Sequence, residues 1–228
     1  MLSPLLYWHP DGSRKNNPLA ADQLEGMKLI VKERPVFTLA TITTSRQIHW
    51  VKFGSVEPVS AEAFATVDHW NTHNVTQVGR LIVSPGGLLN DIDLYIAQRA
   101  LELTKNAVTN GGEILFLAAC PNGVGEKKTI ENFYRRMIAP IDEIFNSVES
   151  GYELYTHKPY KFARLIRRLR RIHMYSQIPD EMVRAAHLFP THEPQMVVDD
   201  WLTRQPDAKI IVVDGANKIA LYAANPAS

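Results

Sequence analysis

Apolar positions along the chain fall into two rhythms. From residue 18 to about 33 they recur at helical spacing, with Asn17 placed as cap, Pro18 as first residue and Pro35 closing the run. "VFTLATIT" and "QIHWVKFG" then alternate around "TTSR", the pattern of a two-stranded hairpin. Ser60 stands before a second helical stretch, "AEAFATVDHWNTHNV". Residues 1–17 carry Pro4, Pro10, Gly12 and Asn16-Asn17 and read as a loop or tail. The pattern therefore predicts a helix–hairpin–helix unit over 1–77.

From Arg80 the rhythm changes. The strand "RLIVS" runs into Gly86-Gly87 and a helix over 91–108, opened by Asp91 and stopped by "NGG" at 110–112. "EILFLAAC" runs into "PNGVGEKK" and a helix around 127–137. A basic helix at about 158–169, strand "IHMYS", a helix after Pro179, a helix across "PQMVVDDWLTRQ" and strand "AKIIVVD" follow. Short apolar strands alternating with helices predict an α/β fold over 78–228: a Rossmann-like, mostly parallel sheet with helices on both faces.

Composition narrows the partners. The 228 residues carry 25 Lys and Arg against 24 Asp and Glu, a net charge of +1, so no global field favours nucleic acid or an anionic membrane. Cys120 is the one cysteine, which excludes an intrachain disulfide. No apolar run reaches the roughly 18 residues of a membrane span, and the opening residues lack a signal-peptide core. The chain reads as soluble and cytoplasmic.

Candidate chemistry gathers at the strand ends. In open α/β sheets, ligands collect beyond the carboxyl ends of the strands, where backbone N–H groups and helix N-termini converge. Two such ends here carry glycine, in "SPGGLLND" (Gly86, Gly87) and "CPNGVGEK" (Gly123, Gly125). Neither fits a Walker loop or a dinucleotide fingerprint. The glycines either make tight strand-to-helix turns or let a ligand approach the backbone. Tyr95 and Arg99, spaced i and i+4, either form a carboxylate receptor or divide into a packed ring and a solvated cation. Cys120 ends a buried-looking strand at the rim of the same pocket, as a small apolar residue or a thiol with a role.

Two further groups offer chemistry of other kinds. His69 and His73 in "DHWNTH" share one helical face at a spacing that can bind a metal, but no further ligand is linked to them, and no metal site is assigned. In "KPYKFARLIRRLRRIHMY", Lys161, Arg164, Arg168 and Arg171 oppose a stripe of Phe162, Leu165, Ile166 and Leu169. Without stacking aromatics on its basic side this is an amphipathic helix suited to an acidic protein partner rather than to nucleic acid.

The stretch "LIVSPGGLLNDIDLYIAQRALELTKNAVTNGGEILFLAACPNGVG" resembles the C-terminal domain of the nickel-dependent lactate racemase family. That family has a strand, Ser-x-Gly-Gly, a loop to Asp, a helix bearing Tyr with a basic residue four positions on, then Gly-Gly, a strand and Gly-x-Gly. "KNNPLAADQ" is similar to the family's Gly-Asn-Pro segment, and "GYELYTHKPYKFARLIRRL" to its His-Lys helix. The resemblance implies interconversion of 2-hydroxy-acid stereoisomers. In the family, a nickel pincer nucleotide tethered to the N-terminal domain accepts the C2 hydride and returns it to the other face, and two histidines of that domain exchange the hydroxyl proton. The C-terminal domain closes over the substrate. On this mapping Tyr95, Arg99, Gly86, Gly87 and Gln98 face the substrate, Cys120, Gly123, Gly125, His157 and Lys158 stand at the pocket rim, and the chain itself contributes no catalytic residue, metal ligand or cofactor site.

The departures shape the expectation. Ile96 stands where the family commonly has glutamine, with a glutamine only at Gln98, and Arg99 replaces the usual lysine. Loss of that hydrogen-bonding group suggests a hydroxy acid other than lactate. The family's N-terminal catalytic half has no counterpart here, and His9 does not match its nickel ligand securely. The chain is therefore expected to be inactive alone. Its hairpin, with unpaired edges, would meet a separately encoded catalytic domain or another copy of itself. The alternatives are a non-catalytic module binding a small carboxylate and an interaction protein using the basic helix.

Overall fold

The computed structural model describes residues 17–44, 47–149, 151 and 156–224. The leading segment, Ser45 and Arg46 of "TTSR", most of "GYELY" and the last four residues lie outside them. The chain divides into two compact units, Met1–Thr72 and His73–Ser228.

In the first unit α1 (Pro18–Glu33) starts where Asn17 accepts the Leu19 N–H at 3.1 Å, with proline at its first position. β1 (Thr38–Thr44) and β2 (Gln47–Gly54) pair antiparallel, with a register shift between Ile42 and Thr43. α2 (Val56–Asn71) begins five residues earlier than the expected Ser60 cap, with Ser55 at the N-cap position. It also ends earlier than expected, because residues 72–75 form a strand.

The second unit is the α/β domain that the alternation of strands and helices implies. β4 (Val78–Val83), β5 (Val108–Leu117), β6 (Arg171–Tyr175), β7 (Phe189–Pro190) and β8 (Ile210–Val213) form a sheet of order β7-β6-β5-β4-β8. Every pairing in it is parallel. β3 (Thr72–Val75) and β9 (Ala220–Ala223) form a separate ribbon. "NGG" lies inside β5 rather than ending a helix, and Gly111 takes φ +73° there.

The expected helix over 91–108 is broken. α3 (Leu94–Ala97) and α4 (Arg99–Thr104) meet at Gln98, and a 3₁₀ turn (Lys105–Ala107) follows. Its cap is Asp93, which accepts the Ile96 N–H at 2.8 Å, not Asp91. Downstream, α5 (Lys127–Thr129) passes through a π turn (Ile130–Tyr134) into α6 (Arg135–Met137). The remaining helices are α7 (Ile141–Glu149), α8 (His157–Arg168), α9 (Asp180–Ala185) and α10 (Pro194–Arg204).

Strand alternation sorts the core onto two faces. Leu81, Val83, Ile114, Phe116, Ile172 and Met174 point to the larger one, with side chains of α3, α4, α6, α8 and α9. Leu115 points to the other, under Val197 and Trp201 of α10.

On that second face Glu113 is 1% exposed and holds α10 to the sheet. Its carboxylate accepts from Arg204 at 2.9 and 3.2 Å and from Trp201 Nε1 at 2.8 Å, and lies 3.3 Å from His173 Nε2. Arg80 and Arg170 each stand 3.7 Å away. Burial alone would raise the Glu113 pKa; the bonds from Arg204, Trp201 and His173 outweigh it and hold the group at about 2. No local pattern in the sequence distinguishes this glutamate, because its partners come from elements far away along the chain.

Candidate functional site

At the carboxyl end of the sheet, the loops after β4, β5 and β8 are stitched together by backbone bonds. Ser84 N–H donates to Val213 C=O at 2.8 Å, and Ala216 N–H donates to Ser84 C=O at 2.9 Å. Asn217 Nδ2 reaches Asn90 C=O at 2.9 Å. Gly86, at φ +103°, lies so near the third loop that an added Cβ would stand 2.9 Å from Gly215 Cα. The backbone that crowds Gly86 is thus the chain's own. Gly87 (φ +74°) faces open space, and its carbonyl accepts from Asn90 and Asp91 at 2.9 and 3.2 Å to close the turn.

The buried Asp91 joins the first loop to the second: its Oδ2 accepts from Ala119 N–H at 3.1 Å and its carbonyl from Cys120 N–H at 2.9 Å. Gly123 (φ +64°) supplies the carbonyl that accepts Leu94 N–H at 3.0 Å. Gly125 stands against Thr129, where a Cβ would meet Cγ2 at 2.7 Å. Cys120 is fully buried, and burial, with the charges of Asp91 and Asp93, pushes its thiol up to about 12. At neutral pH it is a packed apolar group rather than a nucleophile.

Tyr95 and Arg99 fall on either side of the break at Gln98. Tyr95 is half-buried, its ring edge-to-face with Phe133 at 5.2 Å, while Arg99 is exposed. Gln98 is buried and turns inward, its Nε2 3.4 Å from the Tyr95 carbonyl. Lys158, from the first turn of α8, donates to that same carbonyl at 2.9 Å and places its ammonium 3.1 Å from the centroid of the Tyr95 ring. Burial lowers the Lys158 pKa, Asp93 opposes that, and Arg99 and Lys161 add to it; the result is about 8. The neighbouring His157 is lowered by burial and by Lys158 and Lys161. The structure thus brings Tyr95, Gln98 and Lys158 into contact, with Arg99 close enough to act electrostatically on Lys158. The glycine loops adjoin them through Asp93 and Leu94. Local spacing holds no sign of the Lys158 contact with Tyr95, which bridges 63 positions.

Elsewhere the basic face of α8 is partly used internally. Arg168 donates to the Lys105 carbonyl, and Lys161 pairs with Glu102 at 3.3 Å. His69 belongs to α2 and His73 to β3, so they do not share a helical face. Among the described residues no group of three or more His, Cys, Asp or Glu could hold a metal ion. Also among them, no helix is long and apolar enough to cross a membrane.

The sheet order, the helices on both faces and the stitched rim loops define a Rossmann-like α/β domain. No family model matches the sequence, and no curated protein matches it. Among solved structures, the lactate racemase apoprotein of Thermoanaerobacterium thermosaccharolyticum is similar over 96% of this chain and 53% of its own length, with a TM-score of 0.81 at 21% identity. A protein of Thermotoga maritima matches over 91% of this chain and 54% of its own, with a TM-score of 0.63 at 11% identity. The chain thus has the fold of part of lactate racemase and spans about half the length of these neighbours.

Proposed function

We propose that this chain supplies the substrate-closing part of a 2-hydroxy-acid racemase or epimerase and is inactive by itself. The observation that carries the reading is the grouping of Tyr95, Arg99 and Lys158 beside the rim loops, on a fold shared with lactate racemase. The exposed Arg99 guanidinium offers a bidentate fork to a carboxylate, and the Tyr95 phenol a directional bond. Ile96, 37% exposed between them in sequence, presents an apolar surface that suits a larger C2 substituent than a methyl group. The nickel pincer nucleotide and the proton-exchanging histidines belong, on this reading, to a catalytic half outside these 228 residues. No step through that cofactor is assigned to this chain. The first unit fits a docking role, since Phe37, Leu39, Val51 and Phe53 are all more than half exposed on or beside the hairpin.

The test is calorimetric titration with a panel of 2-hydroxy acids, alongside Arg99→Ala. A charge-assisted bond to a carboxylate makes the expected loss on substitution about 10- to 100-fold in affinity. A hydroxy acid bound equally well by both proteins would overturn the carboxylate assignment. Light scattering that finds only monomer at high concentration, with or without a catalytic half added, would count against the docking role.

A further inference from the structure

Nothing so far accounts for why a lysine from α8 spends its ammonium on a single residue of α3. We infer that Lys158 is a positioning residue that sets the backbone and ring orientation of Tyr95. The inference rests on the reading of Tyr95 as substrate-facing. Its geometric basis is the double contact: one Nζ is 2.9 Å from the Tyr95 carbonyl and 3.1 Å from the centroid of its ring. The carbonyl bond ties down the backbone one turn before the helix breaks at Gln98. The ring contact and the Phe133 edge at 5.2 Å together fix the plane of the phenol. Gln98, the other side chain reaching that carbonyl, is a longer and neutral donor at 3.4 Å. Lys158 therefore supplies the charged link from α8 to the tyrosine.

The charge of the ammonium matters to this contact, because a ring face attracts a cation through its quadrupole and a neutral amine only feebly. The groups acting on that charge are Asp93 at the cap of α3, Arg99 of α4, and Lys161 of α8 itself; His157, also of α8, is adjacent. With the Lys158 pKa brought down to about 8, the amine loses its proton in mildly alkaline solution. The attraction is then complete below that value and fades as the pH rises through it. Tyr95 is held under neutral conditions and released under mildly alkaline ones.

The experiment uses the full chain with carbon-13 in its tyrosine rings, followed by NMR from about pH 6 to about pH 9, below the ordinary phenol range. Wild type, Lys158→Met and Lys158→Arg are compared, with amide spectra confirming a common fold. The Tyr95 ring signal is expected to titrate near pH 8 in wild type. It should stay flat and displaced in Lys158→Met, and stay flat but near the neutral wild-type position in Lys158→Arg. A Tyr95 signal that is flat in wild type, or that titrates alike in Lys158→Met, overturns the inference.

The same samples are titrated with the 2-hydroxy acid selected by the panel. Lys158→Met should weaken binding about tenfold, and Lys158→Arg should restore most of it. If wild type binds in an Arg99-dependent manner and Lys158→Met binds equally well, the positioning role falls while the carboxylate reading stands. If no hydroxy acid binds but Tyr95 still follows Lys158, the orientation control stands and the substrate reading falls.

Discussion

Replacing Glu113 by glutamine removes one charge from a site where several cations converge. In the native protein its carboxyl is held at about 2 against an ordinary 4.5. At about 1.4 kcal/mol per pH unit, that depression corresponds to roughly 3 kcal/mol of stability at neutral pH. Substitution also leaves Arg204 and Arg80 facing a neutral amide, the situation in which breaking a buried pair costs about 3–5 kcal/mol. For a unit of this size, 1 kcal/mol moves the melting temperature by about 2–4 °C, so a loss at the lower end, about 3 kcal/mol, should make Glu113→Gln melt roughly 6–12 °C lower.

Urea unfolding, followed by circular dichroism and tryptophan fluorescence, measures the free energy directly. The pH dependence supplies a second check with a definite sign. A depressed carboxyl contributes stability that is complete above its unfolded value and is lost as the pH falls from 4.5 through about 2. The gap between wild type and Glu113→Gln should therefore shrink to roughly half or less by about pH 3. Equal stability at neutral pH, or a gap that acidification does not narrow, would refute the account.

Other substitutions follow from the same geometry. Gly86→Ala places a Cβ 2.9 Å from Gly215 Cα at φ +103°, so it should cost about 2–3 kcal/mol. Gly87→Ala, strained in φ but facing open space, should cost about 1 kcal/mol, and paired thermal melts would separate the two. The Cys120 thiol, buried and pushed up to about 12, should resist a thiol reagent near pH 8 and react at once in urea; rapid labelling of folded protein would contradict that burial.

Much of the second unit was legible because its elements obey local rules. β4, β5, β6 and β8 are short apolar runs, and α8 and α10 have clear periodicity, so the parallel sheet with helices on both faces follows. Where the sequence misleads, a tertiary bond overrides a local signal. Asp91 looks like a helix cap, yet it is recruited to the Ala119 N–H, and Asp93 caps α3 instead. "NGG" looks like a stop but lies inside β5, at the irregularity between the Val78–Val108 and Arg80–Glu113 pairs with β4. The helix carrying Tyr95 and Arg99 is interrupted at Gln98, where the Tyr95 carbonyl is taken by the side chains of Lys158 and Gln98. Lys158 was placed at the pocket rim, but its contact with a residue 63 positions away was not legible locally, and Glu113 is defined by partners on α10.

The stitched loops carry a consequence for how such a domain can hold anything. In parallel α/β sheets, the gap between the first strand and the one that returns beside it normally admits a nucleotide. Here those strands are β4 and β8, and their exits are laced by the Ser84 bonds to Val213 and Ala216, with Gly86 pressed against Gly215. The N–H groups of Ser84 and Ala216 are spent on the chain itself, so they are not open to an anion as free N–H groups at such an exit would be.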